Sequence, residues 1–122
     1  MVHFQGIQES HLLTSLLPIL WVFIGGALGS TSRYLLGEVI SNGAFVVLVV
    51  NVLGTVIAGT VGFREDSTPI KRLFWITGFA GGFTTFSSFS FFLVELPLIE
   101  SSILTGLTLV LSLSILAAMG KK

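Results

Sequence analysis

The chain has 122 residues, of which 52% are hydrophobic and only 10% are Asp, Glu, Lys or Arg, against roughly 25% in an ordinary soluble domain. Six basic and six acidic residues cannot cover the water-facing sides of several long apolar helices, so the composition excludes a soluble enzyme and indicates a protein of the lipid bilayer. No enzymatic activity is expected. The net charge of zero argues against nucleic acid as a partner, and the absence of cysteine excludes disulfides and thiolate metal sites.

Four apolar stretches follow one another along the chain, each long enough to cross a bilayer as a helix. They cover residues 12–37, 44–63, 73–94 and 98–120, and the short connections between them predict that neighbouring helices run antiparallel. The first stretch is over-long and contains Pro18, so its true span is expected to start near Leu20. The sequence therefore predicts a single integral membrane domain, residues 1–122, with four transmembrane helices.

The basic residues are distributed unequally between the two ends of the predicted helices. Four spans place both termini and the second connection on one side of the membrane, and five of the six basic residues lie there: Arg64, Lys71, Arg72, Lys121 and Lys122. Only Arg33 lies near the other side. Because Lys and Arg accumulate on the cytoplasmic side, this bias predicts that both termini are cytoplasmic; chance clustering in a small sample is the alternative.

The first group of small and polar residues lies in the first stretch. Gly25 and Gly29 form a small-xxx-small pair, which lets another helix come close. Arg33 follows one turn later, and two interpretations of it are open. It can reach outward as an interfacial cation, or it can form a buried or vestibule charge that raises the local concentration of an anion.

The second group surrounds Asn51, an amide inside a span that is rich in valine. Because an Asn in this position costs insertion energy, its side chain should form hydrogen bonds, either across helices or to something that passes through the membrane. Gly54 and Gly59, on the same stretch, are predicted to be packing positions.

The third group, residues 76–92, holds three Gly, six of the eleven Phe and a run of Ser and Thr. Gly81-Gly82 weakens the helix at mid-span, and we expect a break near this pair whose freed carbonyls line a cavity or hold an ion. On a continuous helix, four rings would share one stripe: Phe79, Phe83, Phe86 and Phe89. Packing alone is the alternative interpretation of the stripe, but a row of hydroxyls lies beside it: Thr84, Thr85, Ser87 and Ser88.

The two kinds of side chain suit a small anion. Phenyl rings have a positive edge, so an anion could meet ring edges on one side and hydroxyl or amide donors on the other, in place of its water. The acidic residues Glu38, Glu95 and Glu100 lie at or near the ends of the spans, where they would not repel it. A proton-coupled exporter normally needs a carboxylate or His in mid-membrane, and the spans contain none.

These residues resemble the Fluc (CrcB) fluoride channels between about Ile24 and Phe91. The resemblance rests on Gly25-Gly26-x-x-Gly29 with Arg33-Tyr34, on Asn51-x-x-Gly54, and above all on the run from Gly78 to Phe89, GFAGGFTTFSSF. It implies an antiparallel, dual-topology-type dimer of four-helix subunits in the cell membrane that exports fluoride passively through two pores and so lowers fluoride toxicity.

The resemblance also implies roles for individual residues. Phe86 and Phe89 would give their edges to fluoride, with Asn51 as the facing amide donor and Arg33 as the cation near the vestibule. Ser112 would be a hydroxyl donor on the fourth helix, and Thr85 and Ser88 would belong to the hydroxyl wall. Gly81 and Thr84 would offer main-chain carbonyls to a structural sodium ion that is not transported, at the centre of the dimer.

The sequence departs from the family pattern in three ways. Val46 and Val47 stand where the family often has Gly-Thr, and Phe92 stands where Glu is common. The five-to-one bias of basic residues is also unexpected, because each copy of a dual-topology homodimer must insert either way. One hypothesis is that the chain pairs with a homologous subunit of opposite orientation; a homodimer with an uneven count is the alternative.

Two other functions share the predicted architecture. A small multidrug or cation exporter has the same length and four spans but would need an acidic residue in the first span, where the chain offers Gly, Ala, Ser and Arg33. A non-conducting subunit that packs against an active one is the third possibility. Fluoride efflux from liposomes would separate the three.

Overall fold

A computed structural model describes residues 2–121, and for residues 2–4 and 7 it describes the backbone alone. The described chain is almost entirely helical, as the composition predicts. Its elements are α1 (Val2–Val39), α2 (Gly43–Gly62), α3 (Pro69–Arg72), a π-helix (Leu73–Ala80), α4 (Gly81–Phe83), α5 (Phe86–Glu95) and α6 (Leu98–Met119). The elements from Pro69 to Glu95 are consecutive helical segments with one break between them, and we call them together the third helical region.

Within the described residues, three helices are long and apolar enough to cross a membrane: Gln8–Val39 within α1, Gly43–Gly62 and Leu98–Met119. The third helical region is equally apolar but is divided into shorter pieces. Large hydrophobic side chains cover the outside of these helices, with Phe23 72% and Leu98 82% exposed. A soluble protein rarely leaves so much continuous apolar surface open to water, so this surface fits a lipid environment.

Helical regions that follow one another along the chain run in opposite directions, and alternate ones run in the same direction. The end of α2 meets the end of α6, where a Cβ at Gly59 would lie 2.5 Å from Met119 Sδ, so these two helices point the same way. The end of α5 instead meets the start of α2, where a Cβ at Gly43 would lie 2.7 Å from Phe92 Cζ. Helix α1 runs parallel to the third helical region. The short connections therefore produce the alternation that the sequence predicts.

Helix α1 passes through Pro18 without ending there. Proline lacks one N–H and its ring crowds the preceding turn, which deprives the Thr14 carbonyl of its partner but does not terminate the helix. The opening segment thus belongs to the same helix as the span predicted to start near Leu20.

The break in the third helical region is real but lies three residues later than predicted. Gly81 and Gly82 are helical, with φ −61° and ψ −38° at Gly81, and the helix ends at Phe83. The extended residues are Thr84 (φ −76°, ψ 160°) and Thr85 (φ −146°, ψ 119°). Glycine's weak helix propensity was the expected cause of the break, whereas both glycines are helical and Gly82 packs closely against α1.

The predicted stripe of four phenylalanines is wrong, because it assumed a continuous helix. The break reorients everything that follows it, so Phe83 is buried in the core at 5% exposure while Phe86 is 80% exposed. Phe79 and Phe83 stack on each other before the break, with ring centroids 5.7 Å apart. Phe86 and Phe89 form a second, separate pair after it.

The tightest packing joins α1 to the π-helix and α4. A Cβ at Gly25 would collide with the Phe74 carbonyl oxygen and one at Gly29 with that of Phe79, so only glycine allows this approach. Gly82 contributes from the other side, since a Cβ there would lie 2.5 Å from the Gly26 carbonyl oxygen. The predicted role of the small-xxx-small pair is confirmed. The π-helix was not predicted; such segments often occur at functional sites.

A small core lies beside the break. Val46, Val50 and Phe83 form its buried centre, and Leu36, Ile40 and Phe79 pack around them. Helix α6 lies against α2 through the face that carries Ser101, Leu104 and Thr108. The core thus anchors α2 directly next to the residues where the third helical region loses its helical hydrogen bonds.

Candidate functional site

The break at residues 84–85 interrupts the regular backbone hydrogen bonds of the third helical region, beside the small hydrophobic core. The Thr84 N–H still donates to the Ala80 carbonyl at 2.9 Å, so the last regular helical bond ends at Thr84. Buried peptide groups without partners cost stability, and in a bilayer water is not available to replace them. The next peptide groups therefore need partners from other parts of the chain, and α1 and α2 supply them.

Asn51 on α2 holds the peptide groups of Thr85. Asn51 Oδ1 accepts from the Thr85 N–H at 2.8 Å, and Asn51 Nδ2 donates to the Thr85 carbonyl at 3.2 Å. The sequence left two interpretations of this amide, bonding across helices or bonding to a passing ion. The structure shows the first, and it leaves one N–H of Nδ2 for any further partner.

Helix α1 holds the carbonyls on the other side of the break. Ser30 Oγ donates to the Gly82 carbonyl at 3.3 Å, and Arg33 Nη1 donates to the Thr84 carbonyl at 3.0 Å. Arg33 is half-buried, and its guanidinium is directed inward rather than outward. A cation at the C-terminal end of a helix interacts favourably with the helix dipole, so Arg33 stabilises the end of α4.

Thr85 also starts the next helix. Its Oγ1 accepts from the Ser88 N–H at 3.1 Å, the usual N-cap bond, and lies 3.4 Å from Ser87 Oγ. The Thr85 side chain is buried at 7% exposure, while Ser88 is half-buried. Thr85 and Ser88 are the two pore hydroxyls predicted in the third helical region. The Thr85 hydroxyl is already engaged as a helix cap, whereas Ser88 Oγ has no bonded partner in the described part of the chain.

Phe86 and Phe89 lie on the first turns of α5, directly after the break. Their ring centroids are 6.2 Å apart and their planes are tilted by 36°. Phe86 is 80% exposed on the single chain, while Phe89 is half-buried. The two rings predicted for the pore are thus brought together, next to the residue that Asn51 holds.

Ser112 belongs to a different helix, α6. It follows the buried Thr108 by one turn and is half-buried, on the face that packs toward α2. No hydrogen bond joins its hydroxyl to another of residues 2–121, so this hydroxyl is free within the described chain.

The predicted sodium ligands can be compared with the bonding at the break. In an unbroken helix the Thr85 N–H would donate to the Gly81 carbonyl, but here it donates to Asn51. The Gly81 carbonyl therefore lacks its usual helical donor, and its oxygen is of the kind that a hard cation prefers. The Thr84 carbonyl fits less simply, because Arg33 already donates to it. A sodium ion there would share one oxygen with a guanidinium.

Ser30 is the residue at this site that the sequence analysis missed. It lies three residues before Arg33, so both side chains project from one face of α1. That spacing was the available signal. The two departures in side-chain type are absorbed by packing: Val46 belongs to the core cluster, Val47 is buried, and the Phe92 ring lies against Gly43.

The family of the chain follows from comparison with known sequences. The family model described as CrcB-like protein, Camphor Resistance (CrcB), matches residues 20–120, which is most of the chain. The chain belongs to the CrcB family. The membership that the motifs of residues 24–91 suggested is confirmed.

Several curated relatives of this CrcB-family protein carry a functional name. Fluoride-specific ion channel FluC of Gloeothece citriformis (strain PCC 7424) is 44% identical over 87 residues, covering 62% of this chain and 68% of the relative. Fluoride-specific ion channel FluC 1 of Rhodococcus jostii (strain RHA1) is 41% identical over 73 residues, covering 60% and 58%. The FluC of Legionella pneumophila (strain Lens) is 45% identical over 83 residues, covering 60% and 61%. The chain thus spans about three fifths to two thirds of the length of these relatives, which are named as channels and not as enzymes.

Proposed function

We propose that this CrcB-family chain is a subunit of a fluoride-specific ion channel that lets fluoride leave the cytoplasm passively. One observation carries the proposal: the break at 84–85 places two phenyl rings beside a neutral amide, in a region without carboxylates. The sequence has no Asp or Glu between Glu38 and Arg64, or between Asp66 and Glu95. The names of the relatives support fluoride as the ion.

The chemistry of the break suits a strongly hydrated anion. Fluoride gives up water only where several weak positive partners replace it at once. The edges of Phe86 and Phe89 offer such partners on one side, and the remaining Nδ2 hydrogen of Asn51 and the Ser88 hydroxyl offer donors on the other. The positive charge of Arg33 raises the concentration of anions near the break. No proton carrier is needed, so transport follows the fluoride gradient.

The proposal includes a second subunit in antiparallel orientation. Phe86 is 80% exposed on one chain, and a ring that contacts an ion needs a second wall. A partner chain, identical or homologous, would supply that wall, and Ser112 of α6 would add its free hydroxyl there. The third helical region would then be the fourth membrane span of each subunit, within a single domain of residues 1–122.

The proposal also retains a structural sodium ion at the centre of such a dimer. Gly81 and Thr84 of one chain supply two carbonyl oxygens, so the remaining oxygens of the coordination shell would come from the partner or from water. When bound, sodium would link the two broken helices electrostatically. The hydrogen bond from Arg33 to the Thr84 carbonyl remains the feature that this ion must accommodate.

The charge distribution bears on orientation and on the partner. The end of the molecule where α2 and α6 finish together carries Arg64, Lys71, Arg72 and Lys121 beside Glu65 and Asp66, whereas the opposite end carries Glu38, Glu95 and Glu100 and has Arg33 nearer to it. We propose that the basic end, with both termini, faces the cytoplasm of a bacterial-type plasma membrane. A chain with this bias inserts one way, which favours a homologous partner of opposite orientation over an identical chain.

Fluoride efflux from liposomes tests the proposed function. Purified protein is reconstituted into vesicles loaded with potassium fluoride, and efflux is recorded with a fluoride electrode after a potassium ionophore is added. A channel releases fluoride without a proton gradient. An exporter would release it only with such a gradient. Where a homologous partner is required, the two chains are reconstituted together, and a non-conducting subunit would add nothing to the efflux that the partner supports alone.

A further inference from the structure

The amide of Asn51 contacts both backbone groups of a single residue. Oδ1 accepts a hydrogen bond from the Thr85 N–H at 2.8 Å, and Nδ2 donates one to the carbonyl of the same residue at 3.2 Å. This pair of bonds also fixes which end of the amide is oxygen, because the reversed orientation would set N–H against N–H and O against O. The plane of the carboxamide and the extended backbone of Thr85 are therefore locked to each other.

The surrounding face of α2 is shaped for the same contact. Gly54 lies one turn after Asn51, and a Cβ at this position would collide with the methyl group of Thr84. The Thr84 side chain thus occupies the space that the missing side chain leaves. Asn51 and Gly54 together hold the two extended residues of the break, one by hydrogen bonds and the other by shape.

We propose that Asn51 is a positioning residue, which fixes the direction in which the Phe86 ring leaves the backbone by holding the Thr85 peptide groups. Phe86 is the next residue after Thr85, it is largely exposed, and its ring pairs with Phe89, which belongs to the same helix and moves with it. The inference rests on the proposed channel function and adds to it. Asn51 contributes to transport mainly through Thr85, with one N–H left for an ion.

The test removes the Thr85 N–H and leaves the Asn51 side chain in place. Replacing Thr85 by its α-hydroxy acid analogue turns the amide into an ester, which deletes the N–H that donates to Oδ1. The ester also makes the Thr84 carbonyl a weaker acceptor for Arg33, so the same ester is measured in Arg33→Gln, where that bond is already gone and the loss caused by the missing N–H should persist. We expect fluoride efflux per folded protein to fall about three- to tenfold, the factor that one net hydrogen bond is worth. Asn51→Ala should lower efflux at least as much, and the ester should add little in the Asn51→Ala background.

A matched control is available at the start of α2. The Phe45 N–H donates to Asn42 Oδ1 at 3.1 Å, so an ester at Phe45 removes the same type of bond far from the break. Efflux through this control should equal that of the wild type. If the Thr85 ester also conducts like the wild type while Asn51→Ala does not, Asn51 acts on the ion directly and the inference is wrong.

A second readout does not depend on transport. With 4-fluorophenylalanine at Phe86, the fluorine resonance of the detergent-solubilised protein should be a single line in the wild type and in the Phe45 ester. It should broaden or split in the Thr85 ester and in Asn51→Ala. If the wild type passes no fluoride even with its partner subunit present, the proposed function fails, and this resonance alone decides the inference: an unchanged line in the Thr85 ester would overturn it.

Discussion

At the scale of residues, the polar groups around the break serve the backbone first. Asn51, Ser30 and Arg33 all bond to peptide groups at or near the break, and Thr85 caps α5. This use follows from the environment, because each peptide group left open in a bilayer costs several kcal/mol by transfer estimates (about 2–7). What remains available to an ion is a small set: ring edges, one amide hydrogen and the free hydroxyls.

The ring-edge account predicts a loss of throughput without a loss of fold. Phe86→Ile and Phe89→Ile remove the polarised ring edge but keep an apolar side chain, so the protein should remain folded. Fluoride efflux should fall at least about tenfold, which corresponds to a loss of about 1.4 kcal/mol of interaction with the ion. Phe91→Ile is the control, because Phe91 is 58% exposed on the same helix and pairs with Phe92. Efflux assays on equal amounts of monodisperse protein measure this; normal efflux in both pore variants would refute the ring-edge account.

Arg33 gives a second prediction at this scale. Its side chain supplies both a charge and a hydrogen bond to the Thr84 carbonyl, and bonds from charged donors are worth about 1.5–3 kcal/mol. Arg33→Gln should lower both thermal stability and fluoride efflux, and Arg33→Lys should restore part of each. Thermal unfolding in detergent and efflux from liposomes are the two measurements. Equal behaviour of the Gln and Lys variants would show that the positive charge has no role.

At the scale of elements, the sequence predicted what depends on local pattern. Helices α2 and α6 begin and end within a residue of apolar stretches that are visible in the sequence, because length, apolar content and flanking turns determine them. A break in the third helical region was also predicted, from the weak helix propensity of Gly81-Gly82, although this pair itself is helical. The candidate site residues came from polar side chains inside apolar spans and from the resemblance to a known family, and their roles in transport stay predictions.

The exact position of the break was not predictable from local pattern. Gly81 and Gly82 looked like the weak point, yet Gly82 is used for contact with α1. The helix ends where the Thr85 N–H finds Asn51, a partner far away in sequence, and a tertiary contact of this kind overrides local propensity. The stripe of phenylalanines failed for the same reason, because its register depended on the break.

The packing of α1 against the π-helix gives a prediction for this scale. A Cβ at Gly29 would collide with the backbone of Phe79, which cannot move as a side chain would, so Gly29→Ala should be strongly destabilising. Gly37→Ala on the same helix is the control, since nothing lies within 4 Å of its Cβ position. Expression level and thermal unfolding in detergent should separate the two. Equal stability would mean that the helices can move apart at little cost.

At the scale of the whole molecule, the chain has a basic end and an acidic end. Helices α2 and α6 finish together at the basic end, and the connections at 40–42 and 96–97 lie at the acidic end. Such an asymmetric distribution of Lys and Arg orients membrane proteins during insertion. It also sets the requirement for the partner, because an antiparallel dimer needs a subunit that inserts the other way.

Topology reporters test the orientation. With a reporter fused to each terminus and the chain expressed alone, we expect a cytoplasmic signal from both fusions and little signal from outside. Moving positive charge to the other side, by Lys71→Gln and Arg72→Gln with a Lys in place of Ser41, should produce a mixed population. A mixed orientation of the unmodified chain would remove the argument for a homologous partner and favour a homodimer.

The central claim is that ring edges and a few neutral donors replace the water shell of fluoride, and the most direct test compares two halides in the same vesicles. Liposomes that contain the protein, with its partner subunit if one is required, are loaded with equal concentrations of fluoride and chloride, and both ions are recorded during efflux. The account predicts rapid loss of fluoride while chloride stays inside. Equal efflux of the two ions, or retention of both, would contradict it.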